Sequence, residues 1–305
     1  MTVIDLVGVD AEAGARLAPA KVNLALHITG RRPDGYHELE SLAVFTRFGD
    51  RIEVVPAERD ELIVSGKYAA DVPAGEDNLI VRAREALRRR FGGGATPPVA
   101  ITLEKNLPVA SGIGGGSSDA AAALRALLKA WGLSIQETQL AGIGLALGAD
   151  VPMCLAAEPL VVRGVGEVLE RVADFPSLGL VLVNPGVAVS TAEVFAGLER
   201  RDNGKLPPLP RTVDFHSLRN WLETTRNDLE PAARRLRPEI GKALAALNRA
   251  DAGFARMSGS GATCFGVFET GNVAKRAAAT IRSRHPDWFV AATRSLPAGG
   301  GHHGD

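Results

Sequence analysis

The run Pro108-Val109-Ala110-Ser111-Gly112-Ile113-Gly114-Gly115-Gly116-Ser117-Ser118-Asp119 carries the clearest chemistry in this 305-residue chain. Its glycines let backbone N–H groups come closer to a ligand than a Cβ allows. The Ala-rich stretch from Ala120 predicts a helix that leaves the loop near Ser117. A helix start offers unpaired N–H groups and the positive end of the helix dipole, which suits phosphate. Two common phosphate loops are excluded. No lysine follows Gly116, as a Walker A loop requires. A Gly-x-Gly-x-x-Gly fingerprint begun at Gly112 would need glycine at 117, where serine stands. Taken alone, the loop also reads as a strand-to-helix connection without a ligand.

Phosphoryl transfer needs phosphates held, charge neutralised and the accepting hydroxyl oriented beside a base. Each part has a candidate. Lys21 supplies fixed positive charge, and Asp150, in Gly148-Ala149-Asp150-Val151-Pro152, could accept a proton. Ser117 or Ser118 could reach a magnesium ion, which takes few protein ligands besides phosphate oxygens. The plain alternatives are a solvated strand lysine at 21 and a turn-capping acid at 150. Pro33-Asp34-Gly35 is strong turn chemistry, and Tyr36-His37 directly after it present an aromatic ring and an imidazole. No Cys-x-x-Cys or His-Glu-x-x-His occurs, so a dedicated transition-metal site has no support.

The elements that position these residues follow from periodicity. Val22, Leu24, Leu26 and Ile28 alternate as in a half-buried strand, which puts Lys21, Asn23 and His27 on its other face. Further strands are expected at 39–48, 51–55 and 61–65. Asp77 or Asn78 caps a helix carrying Leu79, Ile80, Ala83, Leu87 and Phe91, and Gly92-Gly93-Gly94 stops it. The strand 99–104 feeds the glycine loop, and Leu124, Leu127, Leu128 and Trp131 form the buried stripe of the helix after it. Ser134 and Glu137 match a capping box that opens a helix ending near Leu147. Beyond strands at 160–163 and 178–183, helices at 191–198, 215–223, 239–250 and 273–284 and strands at 254–257, 263–268 and 289–293 read as an α+β sandwich. Ser258-Gly259-Ser260-Gly261-Ala262 is a second glycine-rich turn, by itself a hairpin. The proline-bearing stretch 203–211 reads as a surface loop.

Composition sets outer bounds. The length suits two domains, and 46% hydrophobic residues can fill a substantial core. Thirty-five basic and 35 acidic residues cancel, so nothing draws the whole molecule to nucleic acid or an anionic membrane. The cluster Arg82, Arg84, Arg88, Arg89 and Arg90 reads as a solvated helix face. Cys154 and Cys264 in apolar surroundings suit a reducing compartment, hence cytoplasm. There is no signal-peptide pattern and no run of 18 apolar residues. The tail 299–305, with His302 and His303, is expected to be disordered.

Together these segments resemble the superfamily of galactokinase, homoserine kinase, mevalonate kinase and phosphomevalonate kinase. The likeness rests on the 108–118 loop, on the Ser258–Ala262 turn, on Ala18-Pro19-Ala20-Lys21-Val22-Asn23-Leu24, Arg32-Pro33-Asp34-Gly35-Tyr36-His37 and Asp77-Asn78-Leu79-Ile80, and on Leu147 to Pro152. Asp-Gly-Tyr-His and Gly-Ala-Asp-Val-Pro, in this order, resemble the branch that phosphorylates the 2-hydroxyl of a cytidine-diphosphate methylerythritol on the non-mevalonate route to isoprenoid precursors. The resemblance implies an α+β, two-domain kinase fold: an ATP-binding N-terminal domain like the second domain of ribosomal protein S5 at 1–163, and a ferredoxin-like C-terminal domain at 164–298. It implies ATP and Mg2+ as cofactors, Lys21 and Asp150 as the catalytic pair, and Pro108 to Ser118 with Asn78 and Lys105 around the nucleotide, Ser118 on the metal. Asn23, Tyr36, His37 and Phe195 would bind substrate, His37 reading the cytosine edge and the Tyr36 and Phe195 rings enclosing the base. Partners would be the small-molecule substrate alone, without nucleic acid or membrane, and the chain a monomer or weak homodimer. Two other readings stay open: a sister kinase for homoserine or a mevalonate derivative, and a non-catalytic nucleotide- or RNA-binding member of the fold.

Overall fold

The computed structural model describes residues 15–73 and 75–298; the tail 299–305, expected to be disordered, lies outside them. The first half builds one sheet from β1 (Arg16–Arg31), β2 (His37–Pro56), β3 (Glu61–Ser65), β4 (Val99–Glu104), β5 (Leu160–Gly164) and β6 (Val168–Arg171). Its order is β3-β4-β2-β5-β6, with β1 paired to β2. Ile52, Ile101 and Leu103 on one face pack under α1 (Leu79–Phe91) and α2 (Gly115–Ala130), with α3 (Glu137–Leu147) and α4 (Val151–Ala156) completing that layer. β2 is one strand where the sequence predicts two, and the sheet continues to Arg171 through the β5–β6 hairpin, past residue 163.

The second half contains β7 (Gly179–Asn184), α5 (Thr191–Ala196), α6 (Phe215–Glu223), α7 (Glu230–Leu236), α8 (Glu239–Arg249), β8 (Phe254–Met257), β9 (Cys264–Phe268), α9 (Gly271–Arg284) and β10 (Phe289–Arg294). Its sheet order, β10-β7-β9-β8, all antiparallel, is that of the expected ferredoxin-like unit.

β1 departs from the half-buried strand that its alternation predicts. Both faces are covered, and Lys21, Asn23 and His27 are at most 6% exposed. The register shifts at Asn23/Ala25 and Ile28/Gly30 each put an extra residue into β1, whereas that at Pro19/Lys21 puts its extra residues into β2; an extra residue turns the following side chains of its strand to the opposite face. Val22 and Leu24 thus join the cluster around Leu180 and Phe265, whereas Leu26 and Ile28 join that of Val181 and Val183. The strand belongs to both halves. Backbone bonds from Leu26 N–H to Arg226 O (2.8 Å) and from Asp228 N–H to Leu26 O (2.9 Å) reinforce it.

Local expectations differ elsewhere for identifiable reasons. α2 begins at Gly115, earlier than Ser117, because Gly114 takes the left-handed conformation at the N-cap. The Ser134 capping box does not form: Gln136 is the N-cap of α3, and the Glu137 carboxylate is taken by Arg125 at 2.8 and 3.0 Å. Arg88 grips both carboxylate oxygens of Asp60, so the arginine cluster is only partly a solvated face. The stretch 203–211 is strapped down, since Trp221 donates to the carbonyls of Pro207 and Pro208. Among the described residues no helix is long and apolar enough to cross a membrane.

Asn78 caps α1 as expected, its Oδ1 accepting from Ile80 N–H (2.8 Å) while its Nδ2 donates to Pro73 O (2.9 Å). Asn78→Ala should therefore lower the unfolding free energy by about 1 kcal/mol, measured by urea denaturation.

Candidate active site

The glycine loop connects β4 to α2, and its apolar and hydroxyl side chains hold it to the protein. Ile113 is fully buried, and its carbonyl accepts from Lys21 N–H at 2.9 Å. Ser111 Oγ donates to Pro108 O (2.6 Å), while Val109 and Ala110 are exposed. Ser118 does not fit the metal role the resemblance implies: it is 1% exposed and its hydroxyl donates to Pro19 O at 2.7 Å. Ser117 is only half buried. The N–H groups of Gly115, Gly116 and Ser117 stand in the first turn of α2, where no intrahelical acceptor exists.

The Ser258–Ala262 turn is the hairpin between β8 and β9, and it lies against the loop. A Cβ on Gly112 (φ +77°) would stand 2.5 Å from Ser258 O, and one on Gly259 2.7 Å from Gly112 O. Only glycine permits this approach. The Ser258 hydroxyl accepts from Asn23 N–H (3.1 Å) and donates to Gly112 O (3.0 Å). Thr263 N–H donates to Ser111 O (3.0 Å), and Asn227 Nδ2 donates to the carbonyls of Met257 and Gly259.

Lys21 leaves β1 beside the loop, where a Cβ on Gly114 would be 3.2 Å from its stem. Its ammonium meets Asp150 Oδ2 at 2.9 Å. Asp150 sits at the start of α4, between two helices rather than in a free turn, and keeps 36% of its side-chain surface. One end of the pair is thus anchored in the protein and the other is open to solvent.

Asn23 stands two residues along β1. Its Nδ2 donates to Ser41 Oγ (2.8 Å), while its buried Oδ1 has no partner and points toward Gly259. His37 opens β2 directly across from Arg31. Its ring lies against Phe195 of α5, centroids 5.0 Å apart, and its buried Nε2 also lacks a partner. Burial first, then Arg31 and Arg201, hold the His37 pKa below the ordinary histidine value. The ring facing Phe195 is therefore His37, while Tyr36 is 66% exposed.

Lys105 is buried beneath the loop entrance, with its ammonium shared between Asp50 and Asp119, the latter at 2.6 Å. Burial opposes that charge, but Asp119 and Asp50 outweigh it and hold the lysine pKa above its ordinary value. Burial pushes the Asp119 carboxyl well above the usual carboxylate range. Asn78 spends its Oδ1 on the α1 cap and its Nδ2 on Pro73 O, and its neighbour Leu79 lies on the Gly116 side of the loop. Sequence reasoning missed Asn227, Ser41 and Asp50 as parts of this region, and it gave no role to Ser258 and Asp119, which lay inside the two motifs it recognised.

Residues 78–158 match the family model of the GHMP kinases N terminal domain, and residues 212–287 that of the GHMP kinases C terminal domain. The chain is 69% identical over 289 residues to 4-diphosphocytidyl-2-C-methyl-D-erythritol kinase of Mesorhizobium japonicum, covering 94% of this chain and 98% of that one. The crystal structure of a 4-(cytidine 5'-diphospho)-2C-methyl-D-erythritol kinase superposes with a TM-score of 0.78 at 36% identity, covering 94% of this chain and all of that one. A homoserine kinase from Cytophaga hutchinsonii, 16% identical, shares the fold at a TM-score of 0.67 over 94% of this chain and 96% of its own.

Ser258→Ala leaves a buried N–H and a carbonyl without their shared partner, which should cost about 1–3 kcal/mol of stability in a denaturant titration. Gly112→Ala forces the two turns apart and should abolish phosphate transfer in a protein whose far-UV dichroism is unchanged.

Proposed function

The chain belongs to the GHMP kinase family, and on that footing we propose that it is an ATP-dependent kinase that phosphorylates the 2-hydroxyl of 4-diphosphocytidyl-2-C-methyl-D-erythritol. The observation that carries this reading is the Lys21–Asp150 pair, 2.9 Å apart and lying against the glycine loop. A base, a fixed cation and a cradle of backbone donors meet there.

In this mechanism the N–H groups at the start of α2 bind phosphate oxygens, adding directed hydrogen bonds to the helix dipole. ATP, when bound, supplies the electrophilic γ-phosphoryl group. Asp150 accepts the proton of the substrate 2-hydroxyl as the oxygen attacks. Lys21 holds Asp150 in place and stabilises the charge that develops during transfer. Among the described residues there is no cluster of three or more His, Cys, Asp or Glu that could hold a metal. Mg2+ would therefore be held chiefly by phosphate oxygens, with Ser117 the loop hydroxyl left for it, because Ser118 is committed to Pro19.

For the acceptor, the unpartnered Oδ1 of Asn23 and Nε2 of His37 are the groups that substrate would satisfy. An unmet buried polar atom is costly, so both favour a ligand rich in hydrogen-bonding groups. His37, held neutral, bonds the cytosine edge. Tyr36 closes over the base from the solvent side, opposite Phe195. The same reading places the enzyme in the cytoplasm, as a monomer or weak homodimer acting on a small molecule without nucleic acid.

The direct test is phosphorus NMR of the product formed from ATP and the cytidine substrate, where a new phosphomonoester on the 2-hydroxyl is expected together with ADP. No product would end the proposal. Asp150→Asn should lower kcat by about 10²–10⁴ with ATP binding nearly intact; near-normal turnover would remove Asp150 from the mechanism. Tyr36→Ala should raise KM for the cytidine substrate roughly ten- to a hundredfold, as the loss of a base stack implies, and leave KM for ATP in place.

A further inference from the structure

Two buried carboxylates that the proposed mechanism does not use lie where the glycine loop opens and closes. The loop departs after Lys105 and returns at α2. Asp50, fully buried at the middle of β2, accepts from the N–H groups of Asn106 (2.6 Å) and Leu107 (2.8 Å), the first two residues after Lys105. Its other oxygen binds the Lys105 ammonium. That ammonium also binds Asp119 Oδ2 at 2.6 Å, and Asp119, 3% exposed, stands on the second turn of α2. The link therefore runs from the sheet, through the loop entrance, to the helix on which the loop exits. A Cβ on Gly115 would be 3.1 Å from the Lys105 nitrogen, so the ammonium packs directly beneath the N–H groups proposed to hold phosphate.

We propose that Asp50 and Asp119 are positioning residues for the nucleotide: by holding Lys105 between them they fix the distance between the two ends of the phosphate loop. This inference rests on the ATP-binding reading of that loop. Lys105, which the family resemblance implies at the nucleotide, acts through the loop, because its ammonium is committed to two carboxylates. Backbone N–H groups must converge on phosphate oxygens at about 2.7–3.2 Å and weaken steeply off that geometry, so a loosened link should be read as weaker nucleotide binding. Of the acceptor groups, Asn23 meets the loop through the Ser258 hydroxyl at Gly112, and the bonds of the Lys105 ammonium go to Asp50 and Asp119 rather than to Asn23, Tyr36 or His37.

The experiment compares Asp119→Ala with Asp119→Asn. An asparagine can turn its carbonyl oxygen to Lys105 and keep the bond, whereas alanine cannot. ADP affinity is measured by isothermal titration, and KM for the cytidine substrate and the thermal midpoint are measured alongside. The expected result is an ADP Kd raised about tenfold or more in Asp119→Ala, equivalent to about 1.4 kcal/mol, with KM for the cytidine substrate within about threefold. Asp119→Asn should recover most of the lost affinity. An unchanged ADP Kd in Asp119→Ala overturns the proposal. So does a parallel rise of both constants in the two variants that follows the loss in thermal midpoint, since that is general destabilisation. If Asp119→Ala does not fold, the double variant Lys105→Met/Asp119→Leu removes both charges together; it too should bind ADP more weakly, and wild-type affinity there overturns the proposal. Failure of the wild type to bind ADP at all would instead sink the nucleotide reading of the loop.

Discussion

Two glycine turns from the two halves of the chain touch through their backbones, and the arrangement of the site depends on that contact. Gly112 and Gly259 stand so close that a Cβ on either would meet the other's turn at 2.5–2.7 Å. The Ser258 hydroxyl bridges the Asn23 N–H and the Gly112 carbonyl in the same place. One oxygen thereby joins β1, the loop and the second half of the molecule. Because Lys21 N–H bonds Ile113 O within the loop, the lysine's height over the loop is fixed by backbone rather than by its flexible side chain. Such preorganisation costs no rearrangement when charge develops.

Charge is handled in two different ways within a short distance. Lys105 is buried between two carboxylates, an arrangement in which removing the lysine would leave two acids without their cation in a low-dielectric interior. It serves placement. Lys21 has a single carboxylate partner, Asp150, which keeps a third of its surface. A carboxylate with an open side can meet a substrate proton while the ammonium stays where it is. The two lysines thus differ both in burial of the acid and in the number of acids, and the proposed mechanism uses only the open pair.

Local signals were readable and long-range ones were not. β3, β4 and α6 occupy the residues expected, and Asn78 caps α1, because each depends on a few neighbouring residues. β1 defeated the alternation rule, since two bulges turn its side chains and the face that should have met solvent is covered by Gly114 at Lys21, by Ser41 at Asn23 and by Gly204 at His27. Asn227 and Asp50 carry no local mark; they matter only for the backbone groups that the fold brings to them. Ser118 was legible as part of the loop, but its direction was not. A helix starting at Gly115 rather than near Ser117 turns that hydroxyl inward to Pro19. Likewise the sequence placed Tyr36, His37 and Phe195 in one substrate site but could not say that His37 is the ring resting on Phe195.

Acceptor choice separates this chain from relatives that share its fold but act on other alcohols. The decisive measurement is kcat/KM with ATP held constant and three acceptors compared: the cytidine-diphosphate methylerythritol, homoserine and mevalonate. A built hydrogen-bonding pocket rejects ligands that lack its partner groups by several orders of magnitude, so the cytidine compound should exceed the other two by at least about a thousandfold. Comparable values for homoserine or mevalonate would contradict the reading of Tyr36, His37 and Asn23 as a cytidine-substrate site and leave only a kinase of this fold.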